Sequence, residues 1–227
     1  MVRVRYLGHA AVFMEGEGLK ALIDPFLSGN PQAGASPGDY GDLSHIFVTH
    51  GHGDHLGDSL EIAKKTGATL VSNFELCSLF ESRGIVTHPM HIGGTFRFPF
   101  GKVKMTPALH GSGVMVNGQI LYGGVAGGFL IEVEGKKIYH AGDTGLTLDM
   151  QLLREEAVDL AFLPIGGNFV MDIHDASRAV DFIRPRKVVP IHYDTFPVIQ
   201  ADPREFAQKV GSMAEVFILA PGESLEL

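Results

Sequence analysis

Apolar positions, many of them β-branched or aromatic, crowd residues 2–24 on either side of a polar break at Glu15-Gly16-Glu17-Gly18. That pattern predicts two strands joined by a tight turn. Residues 29–42 are poor in apolar side chains and rich in Gly, Pro and Asp, as in a surface loop. A short apolar strand follows over 45–49, and then a polar turn. A helix is expected over 58–65, because Asp58 and Glu61 have capping-box spacing and Leu56, Leu60 and Ala63 share one face. Residues 69–72 read as strand, 74–82 as helix, and 95–107 as a hairpin turning at Gly101.

The second half repeats the style. Residues 128–139 form an expected hairpin with Glu134-Gly135 at its turn, 148–157 are helical and 160–164 are strand. Over 172–183, Ala176, Ala179, Val180 and Ile183 fall on one helical face, and Pro185 stops the helix. Residues 187–191 are strand. Asp202 and Pro203 open a last helix as cap and first residue, with Glu205 completing the box and Phe206, Val210 and Met213 facing inward. Residues 215–219 close the chain as a strand. Hairpins followed by βα units, met twice, predict an α+β protein of two similar halves packed sheet against sheet, with residues 1–227 as a single domain.

Composition narrows the class. A chain of 227 residues buries roughly 70% of its extended surface, so it needs neither disulfides nor a structural metal to fold. No apolar run approaches the ~18 residues of a membrane span, and residues 1–8 have no apolar stretch behind their basic residues, so neither a membrane partner nor a secretory signal is expected. Cys77 is the one cysteine, which excludes an internal disulfide or a thiolate metal cage and fits a reducing cytoplasm. The net charge of −8 argues against a nucleic-acid binder, and no sequence-specific nucleic-acid partner is expected. A small-molecule substrate fits better, and an anionic one stays allowed because bound cations can reverse the local field. The 29–42 loop could serve as a contact arm between identical copies.

The chemistry concentrates in Thr49-His50-Gly51-His52-Gly53-Asp54-His55-Leu56. His50 and His52 are two apart, so extended backbone points both to one side. Gly51 and Gly53 let the chain turn and bring Asp54 and His55 back to the same point. Catalytic zinc usually takes three protein ligands and keeps a position for water, so four ligands on so short a loop point to two metals. The economical division puts His50 and His52 on one, and Asp54 and His55 on the other. Further ligands are expected at the ends of predicted strands, where His110, Asp143 and His192 stand.

These segments, with Ala141-Gly142-Asp143-Thr144 and Pro190-Ile191-His192, resemble the signature of the metallo-β-lactamase-fold hydrolases, and the match runs over nearly the whole chain. Gly8-His9-Ala10, Ile23-Asp24-Pro25-Phe26 and Pro164-Ile165-Gly166-Gly167-Asn168 resemble the branch of small, mostly uncharacterised metal-dependent hydrolases related to ascorbate-6-phosphate lactonase. The resemblance implies a four-layer αββα sandwich with metals along one edge of the two sheets. It also implies His50, His52 and His110 on one metal, Asp54, His55 and His192 on the other, and Asp143 bridging. Zinc β-lactamases of the commonest type use a cysteine in the second site, whereas Cys77 lies in a predicted helix far from every motif. Diiron relatives carry Glu where His52 stands, so the resemblance implies hydrolysis rather than redox chemistry.

The expected reaction is that of a dinuclear metal-dependent hydrolase. Two divalent transition-metal ions (Zn, Mn, Ni or Fe) hold a bridging hydroxide near neutral pH, and Asp54 and Asp143 orient it. The resemblance favours a lactone or related carboxylic ester as substrate; a phosphodiester is the alternative, and a non-catalytic metal-binding regulator a third reading. His9 is the first candidate to protonate the leaving group, or else orients a ligand; His174 is a weaker donor candidate. Asp24 is expected to orient a ligating histidine from behind. His140 reads as packing or support within its strand, His45 as a surface residue, and His88 and His91 receive no role. Residues 111–128, with seven glycines, read as a lid or a mobile connection. Arg184, Arg186 and Lys187 read as a solvated face.

Overall fold

A computed structural model describes residues 1–227. The chain opens with an antiparallel meander of β1 (Arg3–Gly8), β2 (Ala11–Gly16) and β3 (Leu19–Ile23), continued in parallel by β4 (His45–Phe47), β5 (Thr69–Asn73) and β6 (Thr87–Met90). Helices α1 (Gly53–Leu56), α2 (Ser59–Thr66) and α3 (Phe74–Glu81) lie between those parallel strands in sequence. The second half repeats the plan. β7 (Thr95–Phe98), β8 (Gly101–Pro107) and, after a two-stranded ribbon of β9 (Gly113–Val116) and β10 (Gln119–Tyr122), β11 (Gly127–Val133) and β12 (Lys136–His140) pair antiparallel. β13 (Leu160–Pro164), α4 (Ile173–Ile183), β14 (Lys187–Ile191), α5 (Pro203–Val210) and β15 (Glu215–Val216) then add parallel strands and their helices. β16 (Ser224–Glu226) returns to pair with β1. The two sheets run β16-β1-β2-β3-β4-β5-β6 and β15-β14-β13-β12-β11-β8-β7. Each is antiparallel at one side and parallel at the other.

Period-two alternation builds the layers. Val12, Met14, Phe47, Phe129, Ile131, Phe162 and Val189 turn inward to a 24-residue core between the sheets. Their sequence neighbours Phe13, Ile46 and Val48 face outward to α2 and α3, where Ile62, Leu76 and Phe80 meet them. Leu130, Ala161 and Val188 do the same under α4 and α5, against Ala176, Val180 and Phe206. Burying each large apolar side chain stabilises the fold by about 1.5–3 kcal/mol, and the two faces of every central strand are used. The result is a four-layer αββα sandwich. No helix is long and apolar enough to cross a membrane.

The strand directions place the site. β1, β3 and β4 run the same way in one sheet, and β8, β12 and β14 run the same way in the other. Their carboxyl ends all open on one edge, which is where open sheets accept ligands. Backbone bonds tie the sheets together there, from His192 N–H to His9 O at 2.7 Å and from Gly127 N–H to Thr49 O at 3.1 Å.

Several local expectations change. Residues 2–24 form three strands, because Gly8 (φ +107°) and His9 (φ +57°) make a turn without the usual Asn, Asp or Pro. The Asp58 carboxylate caps no helix; it accepts the backbone N–H groups of Leu27 and Ser28 at 3.0 and 2.8 Å, thirty residues away. Residues 148–156 are helical with 3-10 geometry. The expected closing strand over 215–219 pairs only at Glu215 and Val216, after which the chain crosses to the other sheet as β16. Residues 111–128 hold the β9–β10 ribbon, turning at Asn117-Gly118 with φ +51° and +78°. His45 is half-buried against Phe98 and Phe100 instead of lying on the surface.

Candidate metal centre

Six strand ends deliver the side chains. His9 follows β1, Asp24 follows β3, and the His50–His55 loop follows β4; His110, Asp143 and His192 follow β8, β12 and β14. The structure brings all of them together. His174, on the exposed side of α4, lies outside the cluster.

Asp143 is the hub. Its Oδ1 lies 3.0 Å from His55 Nε2, and its Oδ2 lies 3.1 Å from His192 Nε2, 3.4 Å from His110 Nε2 and 3.9 Å from His50 Nε2. On one flank, His52 Nδ1 sits 3.0 Å from His50 Nε2 and 3.3 Å from His110 Nε2. On the other, Asp54 Oδ2 sits 3.3 Å from His9 Nε2 and 4.0 Å from His192 Nε2. Three groups, each with ligand atoms within 4.8 Å of one another, could hold a cation: His50, His52 and His110; His50, His55 and Asp143; and His9, Asp54, His55 and His192.

The polar atoms behind the rings decide how the rings face. Thr49 Oγ1 donates to Asp24 Oδ2 at 2.6 Å, so its lone pair receives the Nδ1–H of His50 at 3.0 Å. His55 Nδ1 donates to the same Asp24 oxygen at 2.7 Å. Both rings therefore hold a proton at the back and present Nε2 to the cluster. Asp24 is fully buried and also accepts the Thr49 N–H at 2.8 Å. His140 is tied off elsewhere, its Nε2 donating to Ala10 O at 2.9 Å.

Electrostatics follow from burial and crowding. Burial alone would lower His55, but the Asp143 and Asp24 carboxylates on either side outweigh it and hold the ring well above its ordinary value. Burial, reinforced by the neighbouring His55, keeps His50 well below 6.5, and burial lowers His110 against the pull of Asp143. His9 falls to about 4, chiefly through burial. Burial opposes ionisation of Asp143, yet His55 and His192 hold its carboxyl well below the usual range. Asp54 is lowered against burial by His9 and His55. Ionised carboxylates beside the neutral imidazoles of His9, His50 and His110 are the protonation state metal ligands need, and at His55 a bound cation would take the place of the ring's second proton.

A cation fits this set. His9 Nε2, His55 Nε2, His192 Nε2 and Asp143 Oδ1 are buried without a hydrogen-bond partner, a costly arrangement unless positive charge lies among them. Imidazole and carboxylate donors without thiolate suit a borderline divalent ion. The free thiol, Cys77, is buried in α3 with its pKa raised by burial to about 11.

Two sheets flanked by helices, with these groups at their carboxyl ends, define a metallo-hydrolase of the metallo-β-lactamase fold. A model described as the beta-lactamase superfamily domain matches residues 20–193, and the chain belongs to that superfamily, among its metal-dependent hydrolases. It is 51% identical over 219 residues to a UPF0173 metal-dependent hydrolase of Alkaliphilus metalliredigens, with 96% of each chain covered. A UPF0173 metal-dependent hydrolase of Carboxydothermus hydrogenoformans is 48% identical over 228 residues, with 100% of both covered. Among solved structures, Igni18, a metallo hydrolase of the archaeon Ignicoccus hospitalis, matches with a TM-score of 0.90 at 39% identity, covering 100% of this chain and 99% of that one. An isothiocyanate hydrolase from Delia radicum gut bacteria shares the fold at 19% identity, with a TM-score of 0.76 and 99% and 98% covered.

Proposed function

We propose that residues 1–227 work as one catalytic domain, a dinuclear metal-dependent hydrolase that opens an uncharged lactone or a related carboxylic ester. The observation that supports the dinuclear reading is the position of Asp143, between an all-imidazole group on one flank and Asp54, His55 and His192 on the other. His50, His52 and His110 would hold one cation, Asp54, His55 and His192 the second, and Asp143 would face both. When bound, the cations supply acidified water and an electrophile for the acyl oxygen. The chain's own residues do the rest. Asp24 and Thr49 fix the tautomers of His55 and His50 from behind. Asp54, with 30% of its side chain exposed, reaches solvent and orients the incoming water.

The substrate class rests on what the surrounding segments carry. Residues 6–19, 24–44, 49–60, 107–127, 141–153, 164–177 and 191–203 contain the site and its approaches, and none includes a Lys or Arg. A phosphodiester or phosphorylated substrate would meet no guanidinium or ammonium group from them, and phosphate recognition normally uses such groups. An uncharged acyl group needs none. A panel of lactones, carboxylic esters and phosphodiesters, assayed with stripped protein and again after loading with Zn, Mn or Ni, tests the reading. Lactone or ester turnover that depends on the added metal is expected. Turnover confined to phosphodiesters would overturn the substrate class, and protein that takes up no metal would overturn the centre.

A further inference from the structure

We infer that His9 is a ligand of the cation assigned above to Asp54, His55 and His192, and that Thr195 fixes the tautomer that makes it one. The inference rests on the dinuclear reading and adds to it a residue from the first strand–turn. His9 is fully buried, and its Nε2 belongs to the group of four ligand atoms that lie within 4.8 Å of one another. That nitrogen has no hydrogen-bond partner. The back of the ring explains its state. Nδ1 lies 2.9 Å from Thr195 Oγ1, whose other neighbours are Gln32 Oε1 at 3.1 Å and the Tyr193 carbonyl at 3.4 Å. A carbonyl only accepts, so the hydroxyl proton points outward and its lone pair takes the Nδ1–H of His9. Nε2 is left as a bare lone pair aimed at Asp54, His55 and His192.

This is the arrangement that Thr49 and Asp24 impose on His50, and that Asp24 imposes on His55. A hydroxyl or carboxylate behind the ring, fixing which nitrogen faces forward, is how ligating histidines are prepared. The backbone points the same way. His9 and His192 both adopt left-handed φ, +57° and +55°, and the His192 N–H and the Tyr6 hydroxyl both donate to His9 O, at 2.7 and 3.2 Å. Backbone strain of this kind persists where surrounding contacts hold a functional group in place. A neutral ring protonated at Nδ1 has no proton on Nε2 to give a leaving group, so the ligand role replaces the donor role expected from sequence.

One consequence separates the two cations. With Asp143 facing both, the cation near His9, Asp54, His55 and His192 would have five protein ligands and the one near His50, His52 and His110 four, so the His9 side is the more crowded of the two. Two measurements test the inference. In protein labelled with 15N at histidine and loaded with 113Cd, ring-nitrogen couplings to the metal are expected for six residues: His9, His50, His52, His55, His110 and His192. Coupling at the other five with His9 uncoupled overturns the inference alone. Protein that takes up no cadmium overturns the dinuclear reading and this inference with it. In parallel, His9→Asn tolerates the left-handed backbone and removes Nε2. Elemental analysis after dialysis against graded chelator should show its tighter cation weakened by about 10–100-fold or more, with Thr195→Val losing about tenfold. Two cations held as tightly in His9→Asn as in the unsubstituted protein would overturn the inference. Should His9→Asn fail to fold, the couplings in the unsubstituted protein decide.

Discussion

Asp143 carries more of the site than any other residue, because both of its oxygens face imidazoles on opposite flanks. Asp143→Asn keeps the shape and removes the charge, so hydrolysis should fall by about 100-fold or more while circular dichroism stays unchanged. Retained activity with full metal content would mean that this carboxylate is not shared. Asp24 acts one shell back. Asp24→Asn still accepts the Thr49 N–H but no longer presents a charged acceptor to His55, and metal affinity should drop about 10–100-fold in competition with a chromophoric chelator. Unaltered affinity would reduce Asp24 to a packing residue. At this scale the His50–His55 loop was legible because its geometry is local: spacing and two glycines suffice to converge four side chains. His110, Asp143 and His192 were legible through their places at strand ends. Thr195 and Gln32 were not. Thr195 meets His9 across 186 residues and Gln32 across 163, and a threonine in a loop has no pattern that announces such a contact.

Elements were read well where both faces of a strand or helix carry signal, and poorly at edges. β6 lies at the margin of its sheet and contains His88 and Pro89, a composition that edge strands tolerate but that hides them from a periodicity reading. The β9–β10 ribbon did have a cue, Asn117-Gly118 between apolar residues, the usual hairpin turn, but the glycine content of the surrounding segment obscured it. At its base, Ser112 Oγ accepts the Gly51 N–H at 3.1 Å, joining the ribbon to the histidine loop. His45 on β4 shows how an element's neighbours alter a residue. Its ring is enclosed by Phe47, Phe98 and Phe100, with Ser44 Oγ at 3.0 Å from Nδ1, and its pKa falls from 6.5 to about 4 through burial, with nearby His88 adding to the effect. The ring is neutral in the fold, whereas the unfolded chain takes up the proton first as pH falls. Its contribution is therefore complete above about 6.5 and is lost between there and about 4. Partial exposure screens the full shift, leaving about 1 kcal/mol between pH 7 and pH 5. Urea midpoints at those two pH values should fall less for His45→Gln than for the unsubstituted protein. Equal falls would show that the acid sensitivity arises elsewhere.

At the scale of the molecule, the repeated order of hairpins and βα units was legible as two similar halves, but the crossing of the last segment to the opposite sheet was not. β16 is three residues long, and its pairing with β1 depends on the turn at Pro221-Gly222, where the Gly222 N–H donates to Tyr6 O at 2.7 Å. The halves meet in an apolar core of 24 residues, with clusters of 18 and 17 under the helices, and none of these clusters includes the histidines and aspartates of the site. Folding therefore has its own driving force, and cation binding adds to it by linkage. Free metal at 100 times its dissociation constant stabilises by ~2.7 kcal/mol per site. For a chain of this length, one kcal/mol moves Tm by roughly 2–4 °C, so loading one site should raise it by about 5–10 °C. Calorimetry on chelator-stripped protein should still show a cooperative transition, with that upward shift on reloading. A stripped chain that melts without a cooperative transition would mean that the cations hold the two sheets together, and that the apolar layer between them is insufficient to do so alone.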